Sequence, residues 1–310
     1  MYNEAIIFFA AAVRTSTPLL IAALGLLYGS RAGIRNIGAE GMMLIGAIVG
    51  VAGSYYTGNP WVGALLASLS GALTSLIFAF LVVTAGAYPP VCGTAINLFG
   101  LGVSTVLARV IFGMNTTMPI IASFSKINVP LLSKLPVLGP ILFQQNPLVY
   151  VTIIILPMIH YVLFKTELGL KIRAVGENPK ACETVGINVC SIRYGTIVYG
   201  GFMCGLAGAY VSMALLSFFT ENMIAGRGFI ALAVLTVGNL NPLGALGAAL
   251  LFGAGEAVQY RLQVSGTGVP YQFAMMIPYA MTLLALSGIF KKPVKSSASN
   301  GIPTMKNRGD

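Results

Sequence analysis

The chain has 310 residues, 56% hydrophobic and only 8% charged, with a formal net charge of +10. Soluble domains carry about 25% charged residues, so this composition, with its long apolar runs, excludes a soluble globular protein and indicates a polytopic membrane protein. The positive excess is gathered at the ends of apolar runs and not along one face, which excludes a nucleic-acid-binding surface.

The N-terminus, MYNEAIIFFAAAVRTS, lacks a basic leader region and a small-residue cleavage site, and reads as the start of the first span. Segments of spanning length run at 6–29, 38–56, 60–84, 90–113, 148–164, 194–217, 243–260 and 270–290. The run 228–240 is too brief for an untilted crossing, and reads as a ninth crossing or as half of a broken helix. The expected fold is an all-α polytopic membrane protein with about 8–10 transmembrane helices, an inverted repeat and broken central helices. Residues 1–290 form the transmembrane domain and 291–310 a flexible tail.

Between the first two spans, SRAGIRNIGAEGMMLIGA (30–47) places Glu40 between Gly38 and Gly41 at the start of an apolar helix. Glycine permits an unwound stretch there, and a helix N-terminus would turn free N–H groups toward a cavity. Asn36 and Glu40 are candidate acceptors for a polyhydroxylated solute. The alternative is that Glu40 serves only the dipole of its own helix. In GTAINLFGLG (93–102), Thr94 and Asn97 interrupt an apolar span, either lining a pathway or bonding a neighbouring helix.

GNPWVGALLASLSGAL (58–73) resembles GNLNPLGALGAALLFGA (238–254), each opening a span after Gly-Asn and a Pro. Entered from opposite faces, such segments are what an inverted repeat produces, and transporters of that kind hold their site at the repeat interface. In the second half, GRGFIAL (226–232) with Phe229, Asn239 and Glu256 are the matching pathway candidates. Arg227 and Glu221 read as outer-surface residues able to pair. His160, the single histidine, reads as an interfacial residue near the end of its span.

The segment 114–147 carries Pro119, Pro130, Pro136, Pro140 and Pro147, which argue against a continuous span. It is too apolar for a free tether, and is expected to lie on the outer membrane face as a platform or a plain loop. The other long interruption, 165–193, is charged and carries the signals of a short helix. Asn178 is an N-cap type, Pro179 suits the first helical position and Gly186 suits the left-handed position beyond the last turn. A capped helix in a loop points to a soluble partner; the alternative is a solvated connector.

Placing 165–193 inside by its charge puts the N-terminus outside and the C-terminal tail inside. Twelve basic residues then lie inside (Arg31 and Arg35, five in 165–193, five in the tail) against four outside. Cys92, Cys182, Cys190 and Cys204 show no CxxC spacing and read as reduced, small apolar residues. There is no GxxxxGK[ST] loop, HExxH, GxSxG or metal-ligand cluster, so neither ATP binding by that route nor enzymatic catalysis is expected of this chain.

Together, GIRNIGAEGMMLIGA, GTAINL, RAVGENPKACETVGI and GRGFIALAV…GNLNPLGA…LLFG resemble the ABC-importer permeases of the branched-chain amino acid/ribose type, over nearly the whole chain. NIGAEGMM favours the nucleoside branch of that family over its sugar and amino acid branches. The resemblance implies a permease subunit of an importer in a bacterial cytoplasmic membrane, receiving nucleosides from an external binding lipoprotein. It also implies a second, non-identical permease and a separate ATPase that holds ATP-Mg, with no cofactor on this chain. Residues 178–186 would form the coupling helix docked on that ATPase, through Asn178, Pro179, Ala181, Cys182, Glu183, Thr184 and Gly186, with Cys182 where the family often has alanine. The alternatives are a permease for simple sugars or branched-chain amino acids, an ion-coupled secondary transporter, and a membrane scaffold. The few ionisable residues in the spans make a proton relay a weak reading.

Overall fold

A computed structural model describes residues 2–113, 121–128, 139–264 and 271–286. Eleven helices account for nearly all of it: α1 (Tyr2–Arg31), α2 (Ala39–Thr57), α3 (Pro60–Ala79), α4 (Pro89–Phe112), α5 (Pro147–Lys165), α6 (Glu167–Glu177), α7 (Pro179–Thr184), α8 (Val189–Tyr210), α9 (Arg227–Val237), α10 (Pro242–Val264) and α11 (Tyr271–Leu286). Single π-turns extend α3 over Phe80–Thr84 and α8 over Val211–Leu216. Six of the described helices (α1 to α5 and α8) are long and apolar enough to cross a membrane. The chain is an all-α, multi-pass membrane protein.

Packing at small residues fixes the centre of the bundle. Helix α8 lies against α1, α2 and α3. At Gly205, α8 meets α3 and α2 backbone to backbone: a Cβ there would sit 2.1 Å from the Ala67 carbonyl oxygen of α3, and one on Gly46 of α2 would sit 2.6 Å from Gly205 Cα. Lipid gives no hydrophobic drive to helix association, so close van der Waals approach at small residues supplies it. Ser212 Oγ of α8 donates to Ala47 O of α2 at 3.1 Å, and Tyr210 Oη donates to Arg14 O of α1 at 3.1 Å. Gly46 and then Gly50 of α2 lie against Gly205 and then Met213, whereas Gly25 of α1 lies against Gly200 and Arg14 against Tyr210, so α8 runs parallel to α2 and antiparallel to α1, which defines an Arg31 end and a Thr57 end of the bundle.

The two resembling segments start helices at these opposite ends with the same cap. Asn59 Oδ1 accepts from Trp61 N–H at 2.9 Å where α3 begins, at the Thr57 end. Asn241 Oδ1 accepts from Leu243 N–H at 3.1 Å where α10 begins, at the Arg31 end.

One open expectation is resolved, and two others are extended. The run 228–240 is a half-helix: α9 has 11 residues, and Glu221 to Gly226 form turns that lead the chain inward before it starts. At 1.5 Å per residue α9 is only about 16 Å long. Second, 165–193 holds two helices, α6 and α7, not one. Third, Ile127–Asn128 pairs antiparallel with Gln144–Gln145 within the proline-rich segment, beside a π-turn at Gly139–Phe143. Its described parts are pinned to the Thr57 end: Ala122 O accepts from Ser54 Oγ at 2.6 Å, and Phe124 N–H donates to Met213 O at 3.1 Å. Residues 114–120 and 129–138 and the tail 291–310 lie outside the described residues.

Candidate functional site

The start of α2 shows how the site is built. Asn36 Oδ1 accepts from Gly38 N–H at 2.9 Å, closing the turn that precedes the helix. Asn97, from α4, accepts from Gly41 N–H at 2.9 Å and donates through Nδ2 to Ile37 O at 3.0 Å. One carboxamide thus satisfies a donor that the helix start leaves orphaned and an acceptor of the turn before it. It can reach because Gly41 and Gly100 bring α2 and α4 into contact: a Cβ on Gly100 would lie 2.4 Å from Gly41 Cα.

With its own helix start served by Asn36 and Asn97, the buried carboxylate of Glu40 reaches across to α9. Oε1 accepts from Gly226 N–H at 2.8 Å and Oε2 from Gly228 N–H at 2.7 Å. The carboxylate therefore lies between the positive ends of two helices, where fixed backbone donors replace lost water. Gly228 is held tightly, since a Cβ on it would lie 2.5 Å from Glu40 N. The junction lies at membrane depth: Asn97 is about 12 Å along α4 from its Arg31-end start, at 1.5 Å per residue.

Beside it is a buried ion pair. Arg227 Nε lies 3.3 Å from Glu256 Oε1, and both side chains are nearly inaccessible to solvent. The remaining guanidinium donors reach Met223 O at 3.1 Å, Ile224 O at 3.3 Å and Tyr260 Oη at 2.8 Å. This corrects the expectation for Arg227, which is not a surface partner of Glu221. Glu221 pairs instead with the exposed Arg109, at 3.0 Å, near the Thr57 end. Arg227 and Glu256 border a cavity of about 330 Å³ between the end of α8, the 217–226 turns, α9, α10 and α11.

The seven predicted pathway residues are thus divided. Asn36, Glu40 and Asn97 come together as braces of the α2–α9 junction, and Glu256 joins Arg227 next to them. Thr94 and Phe229 are exposed on the outer faces of α4 and α9, and Thr94 Oγ1 donates to Val91 O of its own helix. Asn239 is exposed in the α9–α10 turn at the Arg31 end, with a φ of 58°. Sequence reading missed Gln259, Tyr260 and Gln263. Their signal is present: with Glu256 they form a polar i, i+3, i+4, i+7 stripe in an apolar helix.

A second constellation occupies the Arg31 end. Asn178 Oδ1 accepts from Ala181 N–H at 3.1 Å, Pro179 is the first residue of α7, and Gly186 has a φ of 79°. Ala181, Glu183, Thr184 and Val185 are exposed, whereas Cys182 is buried against Val175 and Val189. Cys182 therefore fastens α7 to α6 and α8 and does not face outward. Helix α6 is capped by Thr166, whose Oγ1 accepts from Gly169 N–H at 3.3 Å. It presses on the end of α1 at Gly176, where a Cβ would fall 1.9 Å from Arg31 O. The Arg31 and Arg173 guanidiniums both lie on the Phe164 ring, at 5.8 and 5.4 Å from its centre.

The model of the family described as "Branched-chain amino acid transport system / permease component" matches residues 8–286. The chain is 38% identical over 306 residues to the guanosine ABC transporter permease protein NupQ of Bacillus subtilis, covering 94% of each. It is 36% identical over 302 residues to the nucleoside ABC transporter permease protein NupC of Lactococcus lactis, covering 94% of this chain and 95% of that one. A further guanosine ABC transporter permease protein of Bacillus subtilis, NupP, is 22% identical over 299 residues, covering 93% of this chain and 84% of that one. The family match over residues 8–286 and these identities over nearly the whole chain agree: the chain belongs to the branched-chain amino acid transport system permease component family.

Proposed function

We propose that this chain is the permease subunit of an ATP-driven nucleoside importer in a bacterial cytoplasmic membrane. The observation that carries the reading is the near end-to-end likeness to NupQ and NupC, at 38% and 36% identity. The Arg31 end faces the cytoplasm, because the basic residues of the 30–35 turn and of 165–193 gather there. A separate ATPase holds ATP-Mg and docks on the exposed surface of α7 around Ala181, Glu183 and Thr184. A second, unlike permease completes the pathway, which is supported by the match to two different guanosine permease proteins of one organism. An external lipoprotein delivers the cargo at the Thr57 end.

The mechanism follows the contacts. Closure of the ATPase displaces α7, and the Cys182–Val175–Val189 cluster carries that displacement into α6 and α8. Helix α6 bears on the Arg31 carbonyl through Gly176. Arg31 in turn holds the α9–α10 turn by donating from Nε and Nη2 to Leu240 O, at 2.9 and 2.6 Å. The half-helix α9, whose other end is held by Glu40, is thereby the element that the coupling loop moves. Packed side chains, hydrogen bonds and rigid helices of this kind are the contacts through which coupling between distant sites is carried.

The test is competition in cells expressing the full set of subunits. Uptake of labelled guanosine is blocked by excess unlabelled nucleoside and unaffected by glucose or leucine. No subunit-dependent uptake of labelled guanosine, together with uptake of labelled glucose or leucine, overturns the reading.

A further inference from the structure

The cavity beside the Arg227–Glu256 pair has two unlike walls. On one side stand Val211, Leu215 and Leu216 of the α8 π-turn, with Met223 and Ile230. On the other, α10 presents Glu256, Gln259, Tyr260 and Gln263, spaced to fall on one helix face. Its volume of about 330 Å³ falls in the range of small-molecule sites.

Charge decides what such a site can hold. The Arg227 cation and the Glu256 anion lie 3.3 Å apart and neutralise each other. The guanidinium is further committed to Met223 O, Ile224 O and Tyr260 Oη. A phosphate or a carboxylate entering here would lose its water and find its natural partner already engaged. What the wall does offer is the carboxamides of Gln259 and Gln263, each with both donors and an acceptor. A neutral ligand with a flat apolar face and a mixed donor–acceptor edge fits this pair of walls.

We infer that this cavity is a holding site within one permease subunit for a single uncharged nucleoside, and that its internal charge neutrality discriminates against nucleotides. The inference rests on the nucleoside-importer reading and assigns that reading a place and a selectivity. The base lies against the aliphatic wall and its edge meets the two glutamines. The site is weak because a pathway must release its cargo.

Binding to the purified permease–ATPase complex, without the external lipoprotein, tests this with tritiated guanosine and GMP as probes. Wild-type complex binds guanosine and not GMP. Gln259→Leu and Gln263→Leu each weaken guanosine binding by roughly tenfold, the effect of a lost polar contact. Leu215→Trp, which fills the cavity from its apolar side, abolishes binding in a complex that still co-purifies with its ATPase. Equal binding of GMP, or unchanged guanosine affinity in all three variants, overturns the inference. If the wild-type complex in proteoliposomes still accumulates guanosine in that case, the importer reading stands and only the site is wrong. If it accumulates no nucleoside, the importer reading itself has failed.

Discussion

Arg31 and Leu240 are joined by a fork: Nε and Nη2 of the arginine both donate to the leucine carbonyl, at 2.9 and 2.6 Å. The contact links the end of α1, on which α6 presses, to the turn that launches α10 and ends α9. Arg31→Lys keeps the charge but has no planar fork, and Arg31→Ala removes both donors. A charged hydrogen bond contributes about 1.5–3 kcal/mol, so uptake in Arg31→Ala falls by roughly tenfold or more. ATP hydrolysis continues in that variant. Transport per ATP, measured in proteoliposomes, reads this uncoupling, and an unchanged ratio counts against Arg31 as the link.

Glu40 holds the other end of α9. Glu40→Ala leaves the half-buried N–H of Gly226 and the buried N–H of Gly228 without acceptors, at about 1–3 kcal/mol for the buried one, whereas Glu40→Gln keeps one acceptor. The expected order of thermal stability for the detergent-purified complex is wild type, then Glu40→Gln, then Glu40→Ala. A Glu40→Ala complex that melts with wild type but has lost affinity for cargo would make Glu40 a ligand and not a brace.

The Arg227–Glu256 pair gives a cycle with a distinctive sign. Breaking a buried pair from one side strands a charge and costs about 3–5 kcal/mol, while replacing both partners with apolar residues is often neutral. Arg227→Met is therefore expected to destabilise the complex more than the double variant Arg227→Met/Glu256→Met. Additive losses in thermal unfolding would place the pair in contact with water.

Two glycines of α4 make a matched test of the α2–α4 crossing. Gly100→Ala drives a methyl group to 2.4 Å from Gly41 Cα, whereas at Gly102 a Cβ meets nothing within 4 Å. Overpacking of this kind costs about 1–3 kcal/mol, and Gly→Ala at an open helical site is neutral or stabilising. Expression and melting temperature should fall for Gly100→Ala alone.

In the coupling loop, Cys190 is exposed and Cys182 buried. Maleimide labelling of the isolated permease should modify Cys190 and spare Cys182. Glu183→Lys, on the exposed surface of α7, should reduce ATPase co-purification without lowering the melting temperature. Asn178→Ala, which removes the cap, should lower loop stability by about 1 kcal/mol. Rapid labelling of Cys182 would contradict the packing of α7 on α6 and α8.

Local rules made α7 legible: Asn178, Pro179 and Gly186 each act over one to three residues, and each takes its expected place. The Asn caps of α3 and α10 are equally local, with side-chain contacts that span two residues, although the sequence reading noted only the Gly-Asn and Pro that open those spans. Helix α6 escaped notice because its exposed Leu168 and Leu170 and its charges obscure a face defined by Gly169, Val175 and Gly176. Glu40 read as a polar residue in the right place, but its partners lie 186 and 188 residues away, a pairing that local pattern cannot supply. Arg227 was hidden at a shorter range, since Glu256 lies 29 residues on, and its charge alone suggested a surface position. The buried donors on α9 and the carboxylate on α10 exist as partners only once the half-helix is folded inward.

The most direct measurement is accumulation of tritiated guanosine by proteoliposomes carrying the complete complex, with the lipoprotein and substrate on the Thr57 side. Accumulation is predicted only when ATP-Mg is on the Arg31 side, with no loss on addition of a protonophore. Accumulation driven by an ion gradient without ATP, or ATP-driven accumulation of glucose or leucine in place of guanosine, would contradict it.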